Sequence, residues 1–235
     1  MKRITGRFSF TGAVAIAILL GPARPAAAAP GGARAGTQAS DAAALSEARL
    51  LAAALNSLTG LTASFTQTVE SAALPSPQIE RGIVYLLRPG RMRFEYLEPR
   101  GKLAIADGRQ TILYLPEDRQ VVVAPLGARE TRSGIGLLLE DPVDLVSEFS
   151  ISWERPAGPE EARILRLTPL SGAAEYRFLL VETDADHLVR TLTVVDPLGS
   201  RVTYRFEHVT RVATLDPSLF RFTAPKGVAV QEAGP

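Results

Sequence analysis

With two histidines, no cysteine and two methionines, this 235-residue chain has few side chains suited to metal or nucleophilic chemistry. His187 and His208 fall in neighbouring predicted strands, among ordinary strand residues and without the spacings that metal ligands show. No G-x-S-x-G elbow presents a serine on a strained turn. Asp107 is the obvious candidate acid, yet it precedes Gly108, and Asp-Gly between two apolar runs is a strong hairpin signal. Glu160 and Glu161 lie in a Pro/Gly-rich stretch and read as solvated carboxylates. No glycine-rich phosphate loop follows a strand and opens a helix. These residue types give no support for an enzyme, a metal or another cofactor. What remains is binding through apolar surface.

The elements that would supply that surface centre on Gly82–Tyr96 (GIVYLLRPGRMRFEY). Ile83–Leu87 and Arg91–Tyr96 are strand-type runs flanking Arg88-Pro89-Gly90, where Pro89 fixes φ and Gly90 tolerates a positive φ. After the break the alternation is strict. Arg91, Arg93 and Glu95 face one way, and Met92, Phe94 and Tyr96 the other, as in an antiparallel hairpin with one polar and one apolar face. Leu61–Val69 precedes this hairpin as a strand, and Ser71–Gln78 between them is a loop with two prolines. Lys102–Ala106 and Gln110–Leu115 pair through Asp107-Gly108, and Arg119–Ala124 follows the Pro116-Glu117-Asp118 turn. Strands resume at Phe149–Glu154, Arg163–Thr168, Glu175–Glu182, His187–Val195 and Ser200–Val212, before a short turn at Asp216–Leu219 and a tail from Ala224. The sum is ten or eleven strands, a number that curls into a barrel or splits into two sheets.

Two helical segments interrupt this pattern. Ser40-Asp41 caps a helix that ends at Thr59-Gly60 and carries Leu45, Ala48, Leu51, Ala52, Leu55 and Leu58 on one stripe, with Glu47, Arg49 and Asn56 off it. In Ser133–Phe149, Ser133 caps a short helix with Ile135, Leu137, Leu138 and Leu139. Asp141-Pro142 then restarts it, with Asp144 completing a box-like D-x-x-D. Neither segment can join the sheet, so each must lie across one of its faces.

Residues 1–29 read as a cleaved signal peptide. Lys2, Arg3 and Arg7 form a basic n-region, Gly12–Leu20 an apolar h-region too short to span a bilayer, and Ala26–Ala29 a small-residue cleavage site. Removing it takes four basic residues (Lys2, Arg3, Arg7, Arg24) and no acid from a formal charge of +1, leaving −3, which argues against nucleic acid as a partner. Residues 30–39 read as a flexible leader, 40–230 as one domain and 231–235 as a tail. The expected location is the periplasm, and an exported chain without cysteine must rely on its sheet and core for stability.

Several runs then align with a known pattern. ASFTQTV at Ala63–Val69 is followed by G-x-x-x-x-x-RP at Gly82–Pro89, a Pro99 exit and ADG at Ala106–Gly108. The helix-bearing Ser133–Asp144 region, LTP at Leu167–Pro169 and FRFTAPKGVAV at Phe220–Val230 complete the series. In this order, across nearly all of the chain after the leader, they resemble the LolA family of periplasmic outer-membrane lipoprotein carriers. The resemblance implies a mainly β fold: an incomplete, half-open antiparallel barrel of about 11 strands, with helices covering an apolar concave face. It also implies a carrier, and nothing in the sequence suggests more than a monomer. Its cavity would take the acyl chains of lipoproteins released by an inner-membrane ABC transporter, LolCDE, and pass them to an outer-membrane acceptor, LolB where one exists.

By the same resemblance Arg88 holds the position of the family's RP arginine, which interacts with the lid in the closed state. Met92, Phe94 and Tyr96, with Phe65, would line the sheet side of the cavity. Leu51, Leu55 and Leu58 would line the first helix, and Ile135, Leu137 and Leu138 the second lid. Leu86 and Arg88 share one side of their strand, and Ile83, Tyr85 and Leu87 the other; only Arg88's place at the rim favours its own set as inward. Two other readings stand beside the carrier: a protein of the same fold that binds or senses another lipid or lipoprotein, and a structural domain with a dry core.

Overall fold

Strand alternation sets the architecture. The computed structural model describes residues 35–126, 134–138, 142–155, 163–172 and 176–232. Helix α1 (Ala35–Asn56) leads into β1 (Gly60–Glu70), β2 (Gln78–Leu87), β3 (Arg91–Glu98), β4 (Leu103–Asp107), β5 (Gln110–Leu115) and β6 (Gln120–Pro125). A 3₁₀ turn at Ile135–Leu138 and the one-turn helix α2 (Leu145–Glu148) precede β7 (Phe149–Arg155), β8 (Arg163–Pro169) and β9 (Phe178–Thr183). The chain continues through β10 (Val189–Val195), β11 (Arg201–Val212), a 3₁₀ turn at Pro217–Phe220 and β12 (Ala229–Glu232).

All twelve strands form one sheet in the order β12-β6-β5-β4-β3-β2-β1-β11-β10-β9-β8-β7. Every pairing is antiparallel except β12 with β6, which is parallel. The sheet is open, with β12 and β7 at its edges, so the expected incomplete barrel is a curled sheet. Its curvature follows from two rings. Phe94 on β3 and Tyr204 on β11 are three strand steps apart, about 14 Å along a flat sheet, yet their centroids are 5.7 Å apart. The face carrying both is therefore concave.

The apolar core fills that concave face and packs under α1, the Ile135–Leu138 turn and α2. A second, smaller cluster lies on the other face of β4–β6. There Ile105, Ile112 and Val121 are covered by Phe222, Ala224 and Val228 of the C-terminal segment.

Several boundaries differ from the sequence expectation. Helix α1 begins at Ala35, within the stretch read as a leader, so Asp41 lies inside the helix instead of capping it; no proline between Ala35 and Asp41 stops the helix from extending upstream. At its other end α1 stops at Asn56, and Gly60 already belongs to β1. The cap of α2 is Asp144, whose Oδ1 accepts from Ser147 N at 3.3 Å, and Pro142 precedes the helix. Ser133, Leu139, Asp141 and Glu175 lie outside the described residues. β2 starts at Gln78, five residues earlier than expected, because its outer half pairs with β1 through polar residues that carry no apolar alternation. His187 is in a turn and not a strand: Asp184 Oδ1 accepts from the amides of Asp186 and Leu188, each at 2.9 Å, and His187 takes φ +57°. β12 was not expected as a strand; it extends the sheet to Glu232, into the segment read as a tail.

Candidate functional site

Register stacks the concave face in layers across β11, β1, β2 and β3. Nearest the Arg88 rim lie Leu61, Leu86 and Met92, then Ala63, Val84 and Phe94. A third layer holds Phe206, Phe65, Gly82 and Tyr96, and a fourth Tyr204, Gln67 and Glu80. Val84 and Leu86 are buried with Arg88. The Leu86–Arg88 side of β2 is therefore the inward one, while Ile83, Tyr85 and Leu87 are only partly buried on the other.

The first two layers, with Phe206 of the third, meet the helical covers. Leu55 and Leu58 from the first helical segment and Leu138 from the 3₁₀ turn face Ala63, Val84, Leu86, Met92 and Phe206 around a residual void of about 30 Å³. That is two to three times the roughly 10–15 Å³ that one water needs on the same measure, room for a few waters at most, so the covers nearly fill the concavity. All ten apolar residues expected at the cavity are buried in the one core: Leu51, Leu55, Leu58, Phe65, Met92, Phe94, Tyr96, Ile135, Leu137 and Leu138. Of these, Leu55, Leu58, Met92 and Leu138 border the void. Leu188, Val189 and Val209 border it too; the sequence reading did not single them out, since Leu188 and Val189 mark the passage from a turn into β10 and Val209 lies in a bulge of β11.

Polar contacts fasten the covers. Arg88, 9% exposed, donates from Nη1 to the carbonyl of Leu55 and from Nη2 to Asn56 Oδ1 at 3.5 Å. A cation at a helix C-terminus satisfies an orphan carbonyl and complements the helix dipole. Asn56 then bridges to the second cover. Its Oδ1 accepts from Val143 N at 2.8 Å and its Nδ2 donates to Val143 O at 3.0 Å. One arginine on the sheet thus reaches both covers through Asn56, a residue noted in the sequence only as lying off the apolar stripe. Further along α1, Glu47 Oε1 accepts from Thr183 Oγ1 at 3.0 Å and lies 2.7 Å from His187 Nδ1. Gly134 brings the second cover down on the sheet: a Cβ there would come within 2.8 Å of both Leu179 and Val194, and its φ is +80°.

The far layers are different in kind. Tyr96 donates to Gln67 Oε1 at 2.8 Å. Lys102 Nζ donates to both carboxylate oxygens of Glu80 at 2.7 Å and lies 4.3 Å from the Tyr96 ring centroid. Burial, reinforced by Tyr204 and Glu80 nearby, holds the Tyr96 phenol well above the usual tyrosine range, so it remains a donor. Among the described residues there is no cluster of three or more potential metal ligands, and no helix long and apolar enough to cross a membrane.

Comparison with known proteins places this geometry. The family model described as outer membrane lipoprotein carrier protein LolA matches residues 56–223. An outer-membrane lipoprotein carrier protein from Chromohalobacter salexigens is 30% identical over 187 residues, covering 80% of this chain and 87% of that protein. One of the same name from Methylococcus capsulatus is 31% identical over 179 residues, covering 76% and 84%. Among solved structures, an uncharacterized conserved protein from Thermus thermophilus shares the fold, with a TM-score of 0.50 at 16% identity over 81% of this chain and 99% of that one. On the extent of the family match and the identity to these relatives, the chain belongs to the LolA family of outer membrane lipoprotein carrier proteins.

Proposed function

We propose that this protein is a periplasmic carrier that takes the acyl chains of lipoproteins under its helical covers and moves them from the inner to the outer membrane. The observation that carries this reading is the concave apolar face, with covers that leave about 30 Å³ free and are held at one rim by a buried arginine. An acyl chain of about 14 methylenes brings on the order of 10 kcal/mol of apolar transfer free energy. A carrier must match much of that and still release its cargo. Covers that pack on the empty face do both: they remove an exposed apolar patch and lower the net affinity for cargo.

In this reading the chain is a binding protein and not an enzyme. Leu51, Leu55, Leu58, Ile135, Leu137 and Leu138 are the lid side of the acyl site; Phe65, Met92, Phe94 and Tyr96 are the sheet side. Arg88 is the latch. Residues 1–29 direct export, the inner-membrane transporter LolCDE is the donor, and LolB or an equivalent outer-membrane receptor is the acceptor.

The test is release of a labelled lipoprotein from spheroplasts on addition of the purified mature protein. A soluble one-to-one complex of carrier and lipoprotein is expected. Retention of the lipoprotein on the membrane, with folded carrier and active transporter present, would contradict the carrier reading and favour a binder of some other lipid.

A further inference from the structure

We infer that the concave face ends in a fixed floor that limits how far an acyl chain can enter, built from Phe65 and Tyr96 over Gly82 and backed by Gln67 and the Lys102–Glu80 pair. This rests on the acyl site proposed above and assigns its depth.

Three neighbouring strands change character along their inward sides: β1 from Ala63 to Phe65 and Gln67, β2 from Val84 to Gly82 and Glu80, and β3 from Phe94 to Tyr96. Residues two apart on a strand rise about 6.7 Å, so each layer is one step farther from the Arg88 rim. On these strands the first two layers are aliphatic apart from Phe94, and their Leu61, Ala63, Val84, Leu86 and Met92 face the void. In the third, the Phe65 ring stands edge-on to both Phe94 and Tyr96, with centroids 4.8 and 5.1 Å away. Gly82 makes this possible: a Cβ there would meet Phe65 Cε1 at 2.7 Å and the Glu95 carbonyl oxygen at 2.1 Å. Phe65 is thus seated against bare backbone and braced on two sides.

Behind this plug the next inward side chains of β1 and β2, with Lys102, are polar. The side chains of Lys102 and Glu80 are 7% and 15% exposed, and Gln67 is buried with its carbonyl oxygen occupied by Tyr96. A methylene chain advancing into this layer would separate a buried ion pair or strand the Gln67 amide, and neither loss is offset by an apolar ligand. Every residue of the floor belongs to β1, β2 or β3, or to the Lys102 turn between β3 and β4. None comes from a helical cover, so lifting the covers leaves the floor in place.

The test is a binding series of saturated fatty acids from octanoate to stearate, below their aggregation concentrations, read by displacement of a fluorescent apolar dye from the mature protein. Affinity should rise about fourfold per added methylene up to a limiting length short of stearate, then stay level. Gln67→Leu/Tyr96→Leu removes both hydrogen-bonding partners together and opens the plug, and should move the limit to longer chains. A wild-type affinity that climbs without a limit through stearate would overturn the floor while leaving the acyl site standing. So would an unchanged limit in a variant with native circular dichroism. Should the variant fail to fold, the wild-type series decides alone. Absence of binding by every chain length would remove the acyl site and the floor with it.

Discussion

The sheet has two apolar faces, and they are covered in opposite ways. Over the concave face lie α1, α2 and the Ile135–Leu138 turn. The main chain of α1 is hydrogen-bonded within itself, and its described polar fastenings run through the side chains of Arg88, Asn56 and Glu47. Helix α2, by contrast, also joins the sheet through its backbone, Glu148 O accepting from Leu170 N at 2.9 Å. Over the opposite face of β4–β6 lies the C-terminal segment, which ends in a strand laddered to β6. There Ala229 N donates to Arg119 O at 2.9 Å and Gln120 Nε2 to Gln231 Oε1 at 2.8 Å. Lifting α1 leaves nearly all of its backbone groups paired, whereas peeling β12 strips a ladder. The contrast teaches what makes a cover removable: its backbone bonds must be its own, and its attachments few and made by side chains.

The largest effect should come from damaging the laddered cover. Phe220, 2% exposed, is buried in the 3₁₀ turn that opens the C-terminal segment, where the neighbouring Leu219 carbonyl accepts from Arg93 Nη1 at 3.1 Å. Phe220→Ala should cost about 3–5 kcal/mol, read as a lower urea midpoint for the whole protein. A melt that matched wild type would mean the C-terminal segment is not integral.

Asn56→Ala is the next largest, because it strands the buried Val143 amide. A loss of about 1–3 kcal/mol is expected, together with raised apolar-dye binding as the two covers part. Arg88→Leu should act in the same place, leaving one cooperative unfolding transition but impairing lipoprotein transfer. Full transfer by that variant would end its assignment as a latch. The smallest effect belongs to Arg81→Ala on the solvent side, which breaks an ion pair to Glu98 whose side chains are 55% and 66% exposed. It should change stability by less than about 1 kcal/mol and leave dye binding as it was.

These differences track what could be read from the sequence. The inward set Met92, Phe94 and Tyr96 was legible because a period of two marks a strand buried on one face only. The stripe of Leu51, Leu55 and Leu58 was legible for the same reason at helical period. Arg88 was singled out through the motif around it, since an arginine at a strand end has no chemistry that announces its contact with the end of α1. Asn56 and Glu47 were not found: their partners lie 87 residues away in one case and 136 and 140 in the other, and local pattern carries no trace of such pairings. β12 escaped because all four of its residues are exposed, so it shows no alternation. Tyr96 was legible as inward but not as part of a polar layer, because Gln67 and Lys102 meet it only through the register of the folded sheet.

The removable cover is the central claim, and two spin-label distances test it. The chain has no cysteine, so labels attach only where one is introduced. Leu50→Cys on the exposed side of α1, paired with Arg205→Cys on the outer face of β11, reports α1 against the sheet. Val230→Cys paired with the same Arg205→Cys reports the laddered cover. On saturation with a tri-acylated lipopeptide the first distance should lengthen and the second should not change. An unchanged α1 distance in a lipopeptide-saturated sample would contradict the account.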